Sequence, residues 1–338
     1  MTSTKFIRKS LAKDNGTQIR GIVQKKHGKG KAFTEFRCNN RRKLSCPLDL
    51  GGNGESSMKH LAFSTLPCDG WSLAEMIAFA KACGFSGMEL REGSAWGISA
   101  EMAQKEREIA LQKFEEAGIR ITNIGSSVCF TGEKGDAEQF DNFKKVVSLA
   151  RDLKAGGVRI FLGYFNNRRD NPVPAIPYPE IVTQIKQACD YAVSYGVQVW
   201  IETHNEFATG RSLRKLLDDV DRANCAVIYD IIHPLEEGET PAETIALLGS
   251  QCVHVHVKDG VPFEDPLESN WMYTKVGEGL VPIASIVDQL ERMGYTGYYS
   301  LEWETKWRRE LQVPGMEPAT ILPAYVAFMR ELFQSLMK

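Results

Sequence analysis

The chain has 338 residues, of which 43% are hydrophobic and 25% charged, as expected for a globular protein of one large or two small domains. It contains no run of about 18 apolar residues, which argues against a membrane span, and its N-terminus lacks the apolar segment of a signal peptide. None of the eight cysteines forms a CxxC pair. We therefore expect free thiols and a reducing, cytoplasmic compartment.

The net charge of −2 hides an uneven distribution along the chain. Residues 1–57 hold 13 lysines and arginines against 4 acidic residues, and the remaining residues hold 28 against 39. Because the larger part is acidic, we expect no nucleic-acid partner. Residues 1–57 show no helical or strand periodicity. We interpret them as a disordered basic tail or an untranslated leader read as protein, followed by a folded domain at 58–338.

From Met58 onward, short aliphatic runs alternate with stretches of helical periodicity. The first helix shows the pattern: Ser72 is placed to cap it, apolar residues recur at spacings of three and four, and Gly84 ends it. The expected strands are 59–66, 87–91, 121–127, 157–163, 197–204, 225–230, 252–259 and 297–304. The expected helices are 72–84, 99–118, 136–155, 178–195, 209–222, 239–248, 281–293 and 317–336. Eight strand-then-helix units predict a closed (β/α)8 barrel of the α/β class.

The last four predicted strands carry the densest group of polar side chains. Each of these strands has one such residue near its end. We call these four residues the ligand set: Glu202, Asp230, His256 and Glu302. Because the chemistry of such barrels lies at the C-terminal ends of the strands, we expect the four side chains to meet. Three carboxylates and one imidazole suit a divalent cation such as Mn²⁺, Mg²⁺, Co²⁺ or Zn²⁺. A single strand-end carboxylate often only anchors a loop, but four on neighbouring strands are hard to explain in that way.

Other polar residues near the strand ends allow two interpretations each. His204 shares a strand face with Glu202, so it would contact substrate or hydrogen-bond to the ligand set. Lys258 would neutralise an oxyanion or pair with a carboxylate. Glu89 and Arg91 share a face at the end of the second strand, where they would form a buried ion pair or contact substrate.

Three further features are weaker. Arg308 and Arg309 follow the eighth strand, and we interpret them as a solvated charge run. The VGEG sequence at 276–279 would place backbone N–H groups at an anion, but so short a glycine motif is too common to predict a phosphate site. His254 lies two residues before His256 and is expected in the core or behind the ligand set.

The motifs IETHN, YDIIHP, HVHVKDG and SLEWE, in this order, resemble the sugar phosphate isomerase/epimerase family of xylose-isomerase-like TIM barrels. The resemblance extends from Met58 to the C-terminus. It implies that the ligand set binds one divalent cation per barrel, with Mn²⁺ preferred and Co²⁺, Mg²⁺ or Zn²⁺ as alternatives. It also implies that His233 contacts a substrate oxygen. In the epimerases of this family two ligand glutamates exchange protons with substrate carbon, a role that falls to Glu202 and Glu302.

The activity implied by the resemblance is isomerisation or epimerisation of a keto or hydroxy sugar, or a related polyol, through a metal-stabilised enediolate. A dehydratase would begin with the same proton abstraction and then expel a leaving group. An AP-endonuclease-like nuclease would need more ligands, including histidines from early strands, and only His60 lies between Met58 and Glu202. The expected partner is a small-molecule substrate, and no association with a membrane is expected. The chain could also form a homo-oligomer.

Overall fold

The computed structural model describes residues 60–133, 136–164, 175–264 and 270–338, together with the backbone of four earlier strands. These strands are β1 (Ile7–Asp14), β2 (Thr17–Val23), β3 (Thr34–Arg37) and β4 (Lys43–Cys46). They pair antiparallel in a sheet of their own. Sequence periodicity predicted none of them, because basic and polar residues interrupt the apolar alternation of these segments. Apart from these strands, the segment expected to be a disordered tail or leader lies outside the described residues. The expected domain boundary at Met58 also lies outside them.

Eight parallel strands form the barrel, as predicted. They are β5 (Leu61–Phe63), β6 (Gly87–Arg91), β7 (Arg120–Phe130), β8 (Gly157–Leu162), β9 (Gln198–Glu202), β10 (Cys225–Asp230), β11 (Cys252–Val257) and β14 (Tyr298–Leu301). The hydrogen-bonded order is β5-β14-β11-β10-β9-β8-β7-β6. The seam between β5 and β6 closes through a bridge between Ser64 and Glu89, and Thr65 N donates to Glu89 O at 3.0 Å.

Eight of the described helices lie close to their predicted positions, and the short helix His233–Glu236 was not predicted. The described helices are α1 (Leu73–Cys83), α2 (Gln104–Ala117), α3 (Asp136–Asp152), α4 (Tyr178–Val193), α5 (Gly210–Val220), α6 (His233–Glu236), α7 (Pro241–Leu248), α8 (Ile283–Arg292) and α9 (Pro318–Leu336). The Ser72 side chain accepts from Glu75 N at the start of α1, and Gly84 ends that helix with a left-handed φ of 84°. Helix and strand side chains share one large apolar core. Within the described residues, no helix is both long and apolar enough to cross a membrane.

Between β11 and α8 the chain forms a hairpin that sequence periodicity did not predict. It consists of β12 (Asp259–Pro262) and β13 (Trp271–Thr274), which pair antiparallel. Short 3-10 turns at Ser94–Trp96, Asn205–Phe207, Gly249–Gln251 and Arg309–Leu311 complete the regular structure. The hairpin lies at the C-terminal end of the barrel strands, so it shapes the site described below.

Asp259 joins this hairpin to the VGEG segment. The side chain is 2% exposed, and its carboxylate accepts from the backbone N–H groups of Gly260, Gly277, Gly279 and Val281 at 2.8 to 3.1 Å. A Cβ atom at Gly279 would lie 2.2 Å from Asp259 Oδ1, so only glycine fits there. Within the VGEG segment, the amides of Gly277 and Gly279 are therefore satisfied by a carboxylate of the chain itself.

We predict that Asp259→Ala lowers the free energy of unfolding by about 3 kcal/mol, because buried N–H groups left without an acceptor cost roughly 1–3 kcal/mol each. Asp288→Ala is the control. Asp288 pairs with Arg292 on the surface, where such pairs contribute about 0–1 kcal/mol. Urea unfolding followed by circular dichroism measures both variants. Equal effects of the two substitutions would contradict the role given to Asp259.

Candidate metal and substrate site

The ligand set meets at the C-terminal end of the barrel. All four side chains are buried, and one ligand atom from each lies within 4.8 Å of the others. His256 Nδ1 is 3.4 Å from Glu202 Oε1 and 3.2 Å from Glu302 Oε2. Parallel pairing causes this convergence, since Asp230 is directly opposite His256 in the β10–β11 register. These acidic and histidine groups are positioned for a metal ion.

The balance of buried charge at this level of the barrel also fits a divalent cation. Four buried carboxylates lie here, Glu89, Glu202, Asp230 and Glu302, against two buried cations, Arg159 and Lys258. When His256 is neutral, as a metal ligand must be, the carboxylates are in excess by two charges. Because uncompensated buried charge is costly, an ion of charge +2 would balance this group.

The imidazole of His256 is held by carboxylates on both sides. Burial alone would lower the pKa of His256, but Glu302, Glu89 and Glu202 outweigh burial and raise that pKa well above its usual value. A metal ligand must offer a free lone pair, so an ion bound by Nδ1 would displace the proton from that nitrogen. The imidazole would therefore couple metal binding to proton release.

Arg159 is the important residue that sequence analysis missed. Its side chain is buried, Nη1 lies 2.6 Å from Glu202 Oε2 and 3.7 Å from Glu302 Oε1, and Nη2 donates to Ser126 O at 3.0 Å. Burial would raise the pKa of Glu202, but Arg159 and His256 outweigh burial and hold that pKa well below its usual range. The sequence feature that could have indicated Arg159 is a lone arginine in the aliphatic segment GVRIFLG. This segment forms β8, one face of which lies toward the barrel interior.

Lys258 lies between two members of the ligand set. Its Nζ is 2.6 Å from both Asp230 Oδ2 and Glu302 Oε2, and the side chain is buried. Burial would lower the pKa of Lys258, but Asp230 and Glu302 outweigh burial and raise it well above its usual value. Burial raises the pKa of Asp230 to about 6, against the opposing effect of Lys258. Lys258 thus pairs with these carboxylates, and its contact with an oxyanion stays a prediction.

His204 and His233 contact each other beside the ligand set, with ring centroids 4.5 Å apart in an edge-to-face arrangement. His233 Nδ1 is 2.6 Å from the Thr203 carbonyl oxygen, so this nitrogen carries the proton of the neutral ring. Burial lowers the pKa of both histidines to about 4, so both are neutral near pH 7. His204 borders the cavity described next, and the substrate contacts of both residues remain predictions.

A cavity of about 470 Å³ opens above these residues, a suitable size for a small hydroxylated molecule. Its wall combines two aromatic side chains, three arginines and a ligand-set carboxylate: Phe161, Trp307, Arg91, Arg159, Arg308 and Glu302. The cavity therefore offers apolar surface for a carbon skeleton and positive charge for oxygen atoms.

Glu89 and Arg91 do not form the ion pair that was considered for them. Arg91 borders the cavity, but its Nη1 donates to the carbonyls of Glu92 and Gly125 at 2.8 and 2.9 Å. Glu89 is 1% exposed, and its Oε2 lies 2.8 Å from His256 Nε2. The carboxylate of Glu89 thus faces a histidine, and a substrate contact by Glu89 stays a prediction. Strand alternation puts Glu89 and Arg91 on one face but says nothing about the partner across the barrel.

The interpretation of Arg308 as a solvated charge is wrong. Its guanidinium carbon lies 3.9 Å from the ring centroid of Tyr273, and Nη2 is 2.9 Å from the Tyr273 hydroxyl. Arg308 also contacts Glu304 at 3.4 Å and borders the cavity. Arg309 is exposed, as expected. The error has a simple cause: Tyr273 belongs to the hairpin that periodicity did not predict.

Comparison with known proteins is consistent with this site. Residues 77–332 match the sequence model of the xylose isomerase-like TIM barrel family. A 3-dehydroshikimate dehydratase of Bacillus anthracis is 25% identical over 69% of this chain and 85% of its own length. A fructoselysine 3-epimerase of Shigella flexneri is 20% identical over 68% of this chain and 85% of its own length. A solved D-psicose 3-epimerase shares the fold with a TM-score of 0.62 and 19% identity, over 81% of this chain and 99% of that one. The chain belongs to the xylose isomerase-like TIM barrel family.

Proposed function

We propose that the protein is a divalent-metal-dependent isomerase or epimerase that moves a proton at carbon next to a carbonyl group of a small sugar or polyol derivative. The observation that carries the proposal is the convergence of the ligand set beside a cavity of about 470 Å³ that its member Glu302 lines. An oxygen-rich ligand set favours Mn²⁺ or another hard divalent ion. The fructoselysine and D-psicose 3-epimerases among the similar proteins support the reaction class.

The chain's own residues supply both proton carriers. Glu302 borders the cavity; burial and Glu202 would raise its pKa, but His256 and Lys258 outweigh them and lower it. Glu302 is thus an ionised base, and Glu202, held ionised by Arg159, is the second carboxylate. A divalent cation, when bound, would polarise the substrate carbonyl as a Lewis acid and so acidify the adjacent C–H bond. One glutamate then removes a proton and becomes protonated. It returns this proton to a carbon of the enediolate, or the other glutamate does so after taking up a proton from solvent.

Lys258 and the arginines would hold the substrate during this exchange. The Lys258 ammonium group is 2.6 Å from Glu302 Oε2, so it lies where negative charge develops on the substrate oxygens. His204 and His233, both neutral near pH 7, would donate to or accept from substrate hydroxyl groups. The proposed substrate is therefore a compound with several oxygen atoms. A cytoplasmic location and a homo-oligomer remain predictions.

A dehydratase is the second candidate, and one observation favours it. Arg91, Arg159 and Arg308 border the cavity, which suits a substrate with a carboxylate group. The Bacillus anthracis relative is named for such a substrate, 3-dehydroshikimate. A dehydratase would use the same base and the same cation. The abstracted proton would then pass to the hydroxyl group on the next carbon, which would leave as water as the C=C bond forms.

Metal removal and solvent exchange test the function directly. We predict that chelation abolishes turnover and that Mn²⁺ or Co²⁺ restores it. The holoprotein, incubated in deuterated water with keto sugars and with hydroxylated keto acids, is followed by NMR and mass spectrometry. Deuterium incorporation with the carbon skeleton and oxygen count intact indicates an isomerase or epimerase, and loss of water indicates a dehydratase. Full activity in the metal-free protein would contradict both candidates.

We predict that Glu302→Gln retains bound metal but loses at least about 100-fold in kcat, because general acid–base groups contribute roughly 10²–10⁴-fold. The amide keeps an oxygen ligand and cannot take up a proton. Glu115→Gln is the matched control, since Glu115 pairs with Lys154 at the surface, where both side chains are more than half exposed. Metal content is measured beside turnover. An unchanged kcat in Glu302→Gln would remove Glu302 from proton transfer.

We predict that Arg159→Met lowers the free energy of unfolding by about 3 kcal/mol, since breaking one partner of a buried pair typically costs 3–5 kcal/mol. Saturating Mn²⁺ should raise the thermal midpoint more in this variant than in the wild type, because the ion replaces missing positive charge. Arg107→Met removes another buried arginine, paired with Asp152 at 2.8 Å. It should destabilise the protein without enlarging the response to Mn²⁺. The same response in Arg159→Met and Arg107→Met would contradict the electrostatic role.

A further inference from the structure

We propose that Glu89 is a positioning residue for the metal centre, fixing the His256 ring so that Nδ1 faces the ligand set. This inference rests on the proposed metal site and adds a residue from the opposite side of the barrel. Glu89 belongs to β6, the second barrel strand, whereas the ligand set comes from the last four strands.

The contacts of the His256 ring show how this works. Glu89 Oε2 is 2.8 Å from His256 Nε2, while Nδ1 of the same ring points at Glu202 and Glu302. A neutral imidazole has one N–H and one lone pair. When the ring is neutral, as a metal ligand must be, a carboxylate at Nε2 keeps the proton on that nitrogen, so the lone pair is at Nδ1 and is directed at the ligand set. Carboxylates that accept from the second nitrogen of a ligand histidine orient the ring and strengthen metal binding.

The barrel also fixes the position of Glu89. Its backbone closes the seam between β5 and β6 through the bridge to Ser64 and the hydrogen bond from Thr65. On the next strand, a Cβ atom at Gly125 would lie 2.9 Å from Glu89 Oε1 and 3.5 Å from Arg159 Nη2. Glycine at this position therefore leaves the space in which the Glu89 carboxylate lies beside the Arg159 guanidinium.

A competing interpretation makes Glu89 a metal ligand itself. Glu89, His254 and His256 offer three ligand atoms within 4.8 Å of one another, and Glu89 Oε2 is 3.3 Å from His254 Nε2. Two observations favour the hydrogen bond over a second ion. The contact to His256 has the length of a charge-assisted hydrogen bond, and the nearby Arg159 guanidinium already supplies positive charge.

The test measures Mn²⁺ affinity and stoichiometry by calorimetry on the purified full chain, with the visible absorption of the Co²⁺-loaded protein as a second readout. Glu89→Leu should weaken Mn²⁺ binding by about 10- to 100-fold, as for other partners of ligand histidines, and should change the Co²⁺ spectrum. Glu89→Gln keeps an oxygen that accepts from Nε2–H, so it should retain most of the affinity. Gly125→Ala, which displaces the carboxylate without removing it, should fall between the two.

Glu239→Gln is the control for general damage. Glu239 is also a buried carboxylate, and it accepts from Gly210 N at 2.6 Å and from the Thr244 hydroxyl, outside the ligand set. Its loss should lower thermal stability and leave Mn²⁺ affinity and the Co²⁺ spectrum unchanged. A Glu239→Gln variant with weakened Mn²⁺ binding would overturn the inference, because the effect would then be general.

The remaining outcomes separate this inference from the proposed function. A wild-type protein without Mn²⁺ binding contradicts the proposed function itself. Wild-type binding with an unchanged Glu89→Leu variant overturns only the role of Glu89. A stoichiometry of two Mn²⁺ ions in the wild type and one in Glu89→Leu would identify Glu89 as a metal ligand. That result would also overturn the inference. If Glu89→Leu does not fold, Gly125→Ala decides the question, and wild-type affinity in that variant overturns the inference.

Discussion

The cost of burying carboxylates inside the barrel is the constraint on which the site depends. Glu89, Glu202 and Glu302 are nearly inaccessible to solvent, so each needs a positive charge or a hydrogen-bond donor within reach. Arg159 and Lys258 supply part of that charge, and a divalent cation would supply the rest. The same imbalance would destabilise the barrel without an ion and would favour the binding of one. Stability and the proposed metal affinity would then have the same physical cause.

The geometry of a closed parallel barrel makes this arrangement attainable. Neighbouring strands in parallel register end at the same level, so residues distant in sequence meet without long loops. The barrel interior also brings a side chain of the second strand to one of the seventh, as in the contact between Glu89 and His256. Gly125 leaves room for a carboxylate and a guanidinium side by side. Outside the barrel, Asp259 satisfies four amides and fixes the hairpin that borders the site.

Local signals predicted much of the fold and the convergence of the ligand set. The helix from Ser72 to Gly84 follows from its capping residues, and the structure has both caps. The ligand set could be predicted because all its members stand at strand ends and share one kind of chemistry. Arg308 was misjudged because its aromatic partner, Tyr273, lies on a hairpin without apolar alternation. Arg159 was overlooked because a single arginine in an aliphatic strand does not show which carboxylate it neutralises.

The sequence by itself determined the periodicity of the elements, their order, and the face of each strand that carries polar groups, because these properties depend on residues within a few positions. Only the tertiary structure decided which groups neutralise one another. Glu89 and His256 are 167 residues apart in the chain and 2.8 Å apart in space. Such a contact depends on the closure and stagger of the whole barrel, and no local pattern records it. The partners of the buried charges are therefore a property of the folded barrel.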